Sequence, residues 1–369
     1  MADLGVDPSF WRGRRVLVTG HTGFKGGWLS LWLQDMGADV HGFALAPITT
    51  PNLFDLACVG EGMSHMLGDL RDLEAVTSAF RRARPEIVLH LAAQPLVRES
   101  YADPLTTFAT NVMGTVHVLE VIGRLNQEWR KQRRPTVRAV LIVTSDKCYA
   151  NKIWLRPFRE TDELGGYDPY SSSKACAEIV TAAYRNRFTA TVNHELAVAS
   201  ARAGNVIGGG DWAAHRLVPD AIRAFGRGEI LSVRYPCAIR PWQHVLEPLE
   251  GYLILAQRLF NSGAEYADAW NFGPDSDSQR QVSYVVELMA SIWGDGAKWE
   301  IDRRAQPPEA NLLTLDSTKA RTLLGWRPRL SLQQAIELTL EWYRAAQKEE
   351  GAEALRELTF RQIWTRVGV

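Results

Sequence analysis

Cysteine is scarce in this chain of 369 residues: Cys58, Cys148, Cys176 and Cys237 are the four, and no Cys-x-x-Cys spacing joins any two of them. That count and scatter speak against a disulfide scaffold and a cysteine-based zinc centre, and fit thiols kept reduced in a cytoplasmic setting. Net charge is equally lacking, with 42 Lys and Arg against 42 Asp and Glu. No overall field draws the chain to nucleic acid or an anionic membrane, so an anionic ligand must be held by a local pocket. No apolar run approaches the ~20 residues of a membrane span. The first residues, with Asp3 and Asp7, lack the apolar core of a secretory leader. No grouping of His, Cys, Asp and Glu has metal-ligand spacing. A cytoplasmic, globular protein without a metal is expected, long enough for two lobes at roughly 100–200 residues each.

What is present begins with glycine. Val16-Leu17-Val18-Thr19 reads as a strand, Gly20, Gly23 and Gly26 follow at three-residue spacing, and a helix is predicted over 28–36. Glycine allows positive φ and lets backbone approach a pyrophosphate at a helix N-terminus, where free N–H groups point. Between a strand and a helix this loop points to dinucleotide binding, with Gly20, Thr22, Gly23, Phe24, Lys25 and Gly26 as its candidate residues.

Short apolar runs then alternate with helical patterns. Strands are predicted at 15–19, 39–45, 63–67, 87–91, 137–144 and 195–202, and helices at 73–83, 105–125 and 171–188. That alternation predicts an α/β fold with a doubly wound parallel Rossmann sheet, ligands meeting the carboxyl ends of its strands. The glycine loop, Ala92-Ala93-Gln94 and Thr144-Ser145-Asp146-Lys147 all fall at such ends. Beyond them, 204–210 reads as a flexible glycine loop. Helices at 219–227, 247–261, 283–293 and 332–347 follow, with a strand at 269–273 expected back in the sheet and polar connections such as Gln306-Pro307-Pro308. Residues 1–203 with about 240–275 are expected to form the dinucleotide-binding domain. About 204–239 with 276–369 would form a smaller, mainly C-terminal substrate lobe, its charged tail from Lys348 carrying no functional signal.

Tyr170 and Lys174 stand four apart at the start of the 171–188 helix, which puts both on one face. An ammonium beside a phenol stabilises phenolate and makes a base for a hydroxyl proton; the plain alternative is a surface pair. His21 reads as structural, and Trp28, Trp32, Trp129, Trp293, Trp299 and Trp342 as core or interface filler.

The residues from Thr19 to Gly26, His90-Leu91-Ala92-Ala93-Gln94, Asn111 and the Tyr170/Lys174 pair together resemble the extended short-chain dehydrogenase/reductases of the nucleotide-sugar-modifying branch. Within that branch, three segments are similar to the CDP-glucose 4,6-dehydratases: the glycine loop, Thr144-Ser145-Asp146-Lys147-Cys148-Tyr149, and Arg202-Ala203-Gly204-Asn205-Val206-Ile207-Gly208-Gly209-Gly210-Asp211-Trp212. The likeness runs over residues 11–342.

The resemblance implies NAD as cofactor, held by the glycine loop with Asp69, Leu70, Leu91, Ala92, Ala93, Gln94, Asn111, Tyr170 and Lys174. It implies CDP-glucose as the small-molecule substrate, with Asn205, Trp212, Arg216, Arg240 and Arg303 along its nucleotide-diphosphate side. Tyr170 would take the proton of the sugar 4-hydroxyl, Lys174 would support the phenolate, and Ser145 or Thr144 would bond the same oxygen. Asp146 would protonate the departing 6-hydroxyl. Lys147, where dTDP- and GDP-sugar relatives carry glutamate, would take the C5 proton or else only pair with Asp146 and tune it. A homodimer or homotetramer built through helices 105–125 and 171–188 is implied as well. One departure stands out: residues 42–47 offer no acid for the ribose 2′-hydroxyl of NAD. The rivals are a nucleotide-sugar 4-epimerase, a dehydratase for a dTDP, GDP or UDP sugar, and a dinucleotide-sensing regulator without turnover. The Asp146-Lys147 pair speaks against the epimerase; the full set of Ser145, Asp146, Tyr170 and Lys174 speaks against the regulator.

Overall fold

Strands that are apolar on both faces need cover on both faces, and here two separate cores supply it. The computed structural model describes residues 5–150, 156–190, 196–304, 313–348 and 351–367; Asp3 and the 306–308 connection lie outside them. The first half runs α1 (Pro8–Trp11), β1 (Arg15–Thr19), α2 (Phe24–Asp35), β2 (Asp39–Ala44), α3 (Leu53–Leu56), β3 (Ser64–Leu67), α4 (Leu73–Ala83) and β4 (Ile87–His90). It continues through α5 (Val97–Ala102), α6 (Pro104–Phe108), a π-turn (Ala109–Met113), α7 (Gly114–Lys131), β5 (Ala139–Val143), α8 (Pro169–Ala190) and β6 (Ala197–Ala203). Val16 and Val18 of β1, Ile87 and Leu89 of β4, and Leu141 of β5 pack into one core. Leu17, Val88, Val140 and Ile142 point to the opposite face and join a second core with α4 and α7. Alternate residues thus face alternate layers, and both layers are dry.

The second half contributes β7 (Val206–Ile207), α9 (Leu217–Gly226), β8 (Leu231–Val233), β9 (Ile239–Pro241), β10 (Gln243–His244), α10 (Leu246–Ser262) and β11 (Ala269–Phe272). Then come β12 (Gln279–Gln281), α11 (Val282–Trp293), β13 (Trp299–Ile301), α12 (Leu332–Gln347) and α13 (Ala352–Val367). The main sheet has the order β11-β6-β5-β4-β1-β2-β3, and every neighbouring pair in it is parallel. The direction of winding reverses between β1 and β4, which opens a crevice at their carboxyl ends. The short pairs β7–β10, β8–β13 and β9–β12 stand off this edge.

One expectation is corrected, and a second segment finds its packing role. The 204–210 segment is not a flexible loop: Gly208, Gly209 and Gly210 are buried, and β7 within the segment pairs with β10. A Cβ on Gly209 would come within 2.0 Å of the Trp342 ring, and Trp28 Nε1 donates to the Gly209 carbonyl at 2.8 Å. The charged tail also has a clear task. Helix α2 is buried nearly all round, from Gly26 to Leu33, so it needs a second cover besides the sheet. Helix α13 supplies it: Leu355, Leu358 and Ile363 are buried, and Arg356 bonds the Cys58 carbonyl and, at 2.7 Å, Gln34 Oε1.

One helical stretch among the described residues, Pro104–Lys131, is long and apolar enough to cross a membrane by length and composition. Its Asn111, Thr115, Val118 and Ile122 are buried in the protein, while Leu105 and Met113 are exposed.

Ile363→Ala, which empties a fully buried site beneath the last helix, is expected to lower stability by about 2–5 kcal/mol. Urea or guanidinium midpoints would show this; a change below about 0.5 kcal/mol would mean that α13 is not part of the core.

Candidate active site

A cavity of about 580 Å³ opens at the carboxyl edge of the sheet. Its floor is the glycine loop. Gly20 has φ +79° and its missing Cβ would lie 2.7 Å from the Ala92 nitrogen; a Cβ on Gly26 would lie 2.0 Å from the Gly20 carbonyl oxygen. Gly23, by contrast, meets nothing closer than 3.4 Å and is exposed. The turn is therefore as tight as glycine permits and presents its backbone outward. His21 packs behind it against Phe54 and His65, with neither ring nitrogen partnered, and burial takes its pKa down to about 4. It is a neutral filler, as expected.

The chemistry gathers where β5 ends. Ser145 caps a single 3₁₀ turn over Asp146–Cys148, its Oγ accepting from the Lys147 N–H at 3.2 Å and donating to Asp146 Oδ1 at 3.0 Å. Asp146 is buried and its Oδ2 has no partner. Burial raises the Asp146 pKa, against the opposing pull of Lys147, Ser145, Arg240 and Lys25. Space for that free oxygen depends on Gly204, where a Cβ would lie 3.1 Å from Oδ2 and 2.4 Å from Pro241.

Helix α8 brings Tyr170 and Lys174 to the same place, both buried and both on the cavity wall. The expected lowering of the Tyr170 pKa is absent. Burial pushes the phenol up to about 12, although a hydrogen bond with Ser145 works the other way. Lys174 points its ammonium at the Val143 carbonyl, 3.5 Å away, and burial takes its pKa down to about 8. Lys25 also goes down to about 8, first through burial and then through Arg216. Its surroundings, Asp146, Lys174, Asp211 and Arg216, place its charge among the catalytic candidates.

The wall opposite carries Asn205, Trp212, Arg216 and Arg240. Arg216 is paired with Asp211 at 2.8 Å, and the Trp212 ring stands edge-on to Tyr343 with its Nε1 unpartnered. Asp69 and Leu70 line the far end beyond β3, Asp69 held in the charged form by Arg71 at 2.6 Å.

With this geometry in place, comparison with known proteins is decisive at the level of family. Residues 17–339 match the model of the GDP-mannose 4,6 dehydratase family. The chain belongs to that family. Among similar relatives in sequence is a CDP-glucose 4,6-dehydratase of Salmonella typhimurium, 48% identical over 92% of this chain and 93% of that protein. A dTDP-glucose 4,6-dehydratase of Xanthomonas campestris pv. campestris is 27% identical over 89% of this chain and 92% of its own length. Among solved structures, the Thermus thermophilus UDP-glucose 4-epimerase in complex with NAD superimposes with a TM-score of 0.75 at 25% identity, covering 90% of this chain and 99% of that one.

In this member of the GDP-mannose 4,6 dehydratase family, three expected site residues do not reach the cavity wall. Arg303 is exposed just after β13. Asn111 is buried behind the wall: its Oδ1 accepts from the Gln94 N–H at 2.8 Å and its Nδ2 donates to Ser173 at 2.8 Å, while Ser173 donates to the Tyr170 carbonyl at 2.7 Å. Gln94 is turned inward onto Thr107 at 2.8 Å. These two brace the loop after β4. One buried residue went unnoticed in the sequence, Glu178, one further turn along the Tyr170–Lys174 stripe; its partner Arg202, a lone cation among the alanines of β6, was quoted only as part of a motif. Their ion pair is 2.7 Å long with both side chains buried. The continuing four-residue spacing was the available signal for Glu178.

Activity that needs the Lys174 ammonium should fall as pH rises through about 8, where the buried lysine gives up its proton. A kcat–pH profile with no alkaline limb below pH ~10, near the ordinary lysine value, would contradict this.

Proposed function

We propose that the chain dehydrates CDP-D-glucose to CDP-4-keto-6-deoxy-D-glucose with internally recycled NAD. The observation that carries this reading is the turn after β5: an acid with a free oxygen, a lysine and a serine stand against Tyr170 and Lys174. The 48% identity to the Salmonella enzyme, across nearly all of both chains, supplies the substrate. The glycine loop fits a pyrophosphate, because Gly23 leaves open the space that a Cβ would occupy. NAD held on that loop would supply hydride acceptance from C4 and hydride return to C6.

The chain's own residues handle the protons. Tyr170 accepts the 4-hydroxyl proton as phenolate; burial, which pushes the phenol up to about 12, opposes that form, and the Lys174 ammonium one turn along the same helix is the group that favours it. Ser145 bonds O4. Thr144 donates instead to Glu178, and Ser145 turns its hydroxyl from Asp146 Oδ1 to reach O4. The 4-ketone makes C5–H acidic, and Lys147 on the cavity wall removes that proton. Asp146, whose hold on a proton burial strengthens, gives that proton to O6, and the C6–O bond breaks with loss of water. A proton returned to C5 balances the cycle, so the net change is one water lost. Arg216 and Arg240 suit the diphosphate, each a guanidinium at the wall.

The assembly is a homodimer or a pair of dimers in this reading. Leu105, Phe108 and Met113 on the 104–131 stretch are exposed together with Ile179 of α8, an apolar face that a second copy would cover.

Incubation with NAD and, separately, CDP-, dTDP-, UDP- and GDP-glucose tests the reading by product mass. Loss of one water from the CDP sugar alone, with no net reduced cofactor, is expected; turnover of a different nucleotide, or unchanged mass with all four, would overturn it. Tyr170→Phe and Lys147→Ala should each lower kcat by about 10²-fold or more. Near-normal turnover in Lys147→Ala would remove that residue as the C5 base.

A further inference from the structure

Glu178 is a buried carboxylate that the proton transfers above leave unused. It is 3% exposed, four residues beyond Lys174 on α8. Its Oε2 accepts from Ser200 Oγ at 2.6 Å and from Arg202 Nη2 at 2.7 Å. Its Oε1 accepts the hydroxyl proton of Thr144, the residue next to Ser145. Arg202 in turn bonds the Tyr149 hydroxyl at 2.8 Å, and Tyr149 donates to Asn271 Oδ1 at 2.7 Å. Tyr149 follows the Asp146–Cys148 turn directly, so the network grips that turn at both ends.

A carboxylate kept only to neutralise Arg202 would have no reason to reach forward to Thr144. We propose that Glu178 is a positioning residue for the dehydration. It anchors both ends of the Ser145–Asp146–Lys147 turn and stands as counter-charge behind the Lys174 ammonium. This rests on the function proposed above. The other charged or titratable groups around the pair are Cys148 from the turn after β5, His90 from β4, Lys25 from α2, Arg202 from β6 and Arg185 from α8. Only Glu178 brings a carboxylate to Lys174 among the groups that act on it, and it opposes the downward pull of burial. The sign follows. Without Glu178 the ammonium is less favoured, Lys174 loses its proton at lower pH, and the alkaline limit of activity moves down.

Two variants test this. Glu178→Gln removes the charge alone; Glu178→Gln/Arg202→Met removes both charges of the pair, a replacement that buried pairs tolerate without loss of fold. The first readout is trace acetylation of Lys174 by acetic anhydride against pH, followed by mass spectrometry, which reports the lysine in the resting protein whether or not any sugar turns over. The second is the kcat–pH profile with CDP-glucose. The labelling midpoint, about 8 in the native chain, is expected to fall by roughly one pH unit in the variants. In parallel kcat near pH 7 should fall at least about tenfold with KM within about threefold. A labelling midpoint unchanged in the double variant would overturn the proposal. Failure of the native enzyme to turn over any nucleotide sugar would instead overturn the function, leaving the labelling result to decide the electrostatic role of Glu178.

Discussion

Exclusion of water from the carboxyl ends of β5 and β6 is the condition on which the rest depends. Burial is the first cause of the upward shifts of Asp146 and Tyr170 and of the downward shifts of Lys174 and Lys25. A carboxyl that holds its proton more tightly and lysines that part with theirs more readily are thus consequences of one environment. In open water the same side chains would hold their ordinary charges and have little to exchange.

That dryness has a structural origin in the two-sided sheet. Because β4 and β5 are apolar on both faces, the polar groups of the site are confined to the strand ends. There the chain turns on residues that cannot be enlarged: Gly20 against Ala92, Gly204 against Pro241 and Asp146, Gly209 against Trp342. The buried Glu178–Arg202 pair is one of the charged groups set into this interior. Thr144, Ser200 and Tyr149 satisfy most of its remaining bonding positions, Arg202 Nε being left without a partner.

What could be read from the sequence and what could not divide along the range of the interactions. Strand β1 and helices α4 and α12 lie where the periodicity places them, since their signals are local apolar spacing and, for α12, the Ser331 capping box. The Tyr170/Lys174 stripe and the Ser145-Asp146-Lys147 turn were legible because helix spacing and strand ends determine them. The rigidity of 204–210 was not, because it comes from Trp28, Leu53 and Trp342, distant in the chain. Asn111 looked like a ligand contact from its motif. The π-turn at Ala109–Met113, which no local propensity announces, instead aims it at the Gln94 backbone. The Tyr170 acidity was misjudged for a related reason: helix spacing gives neighbours and says nothing of how much water surrounds them.

The cover that α13 gives α2 sets an order of events during synthesis. Arg356 and its partner Gln34 are separated by 322 positions. The helix that carries the glycine loop is made long before the helix that completes its cover. Until α13 forms, the part of the α2 surface beside Gln34 stays exposed. Such long-range closure slows folding and leaves an adhesive intermediate. Helix α2 therefore reaches its final surroundings only with α13, and a break within α13 is felt at the glycine-loop helix.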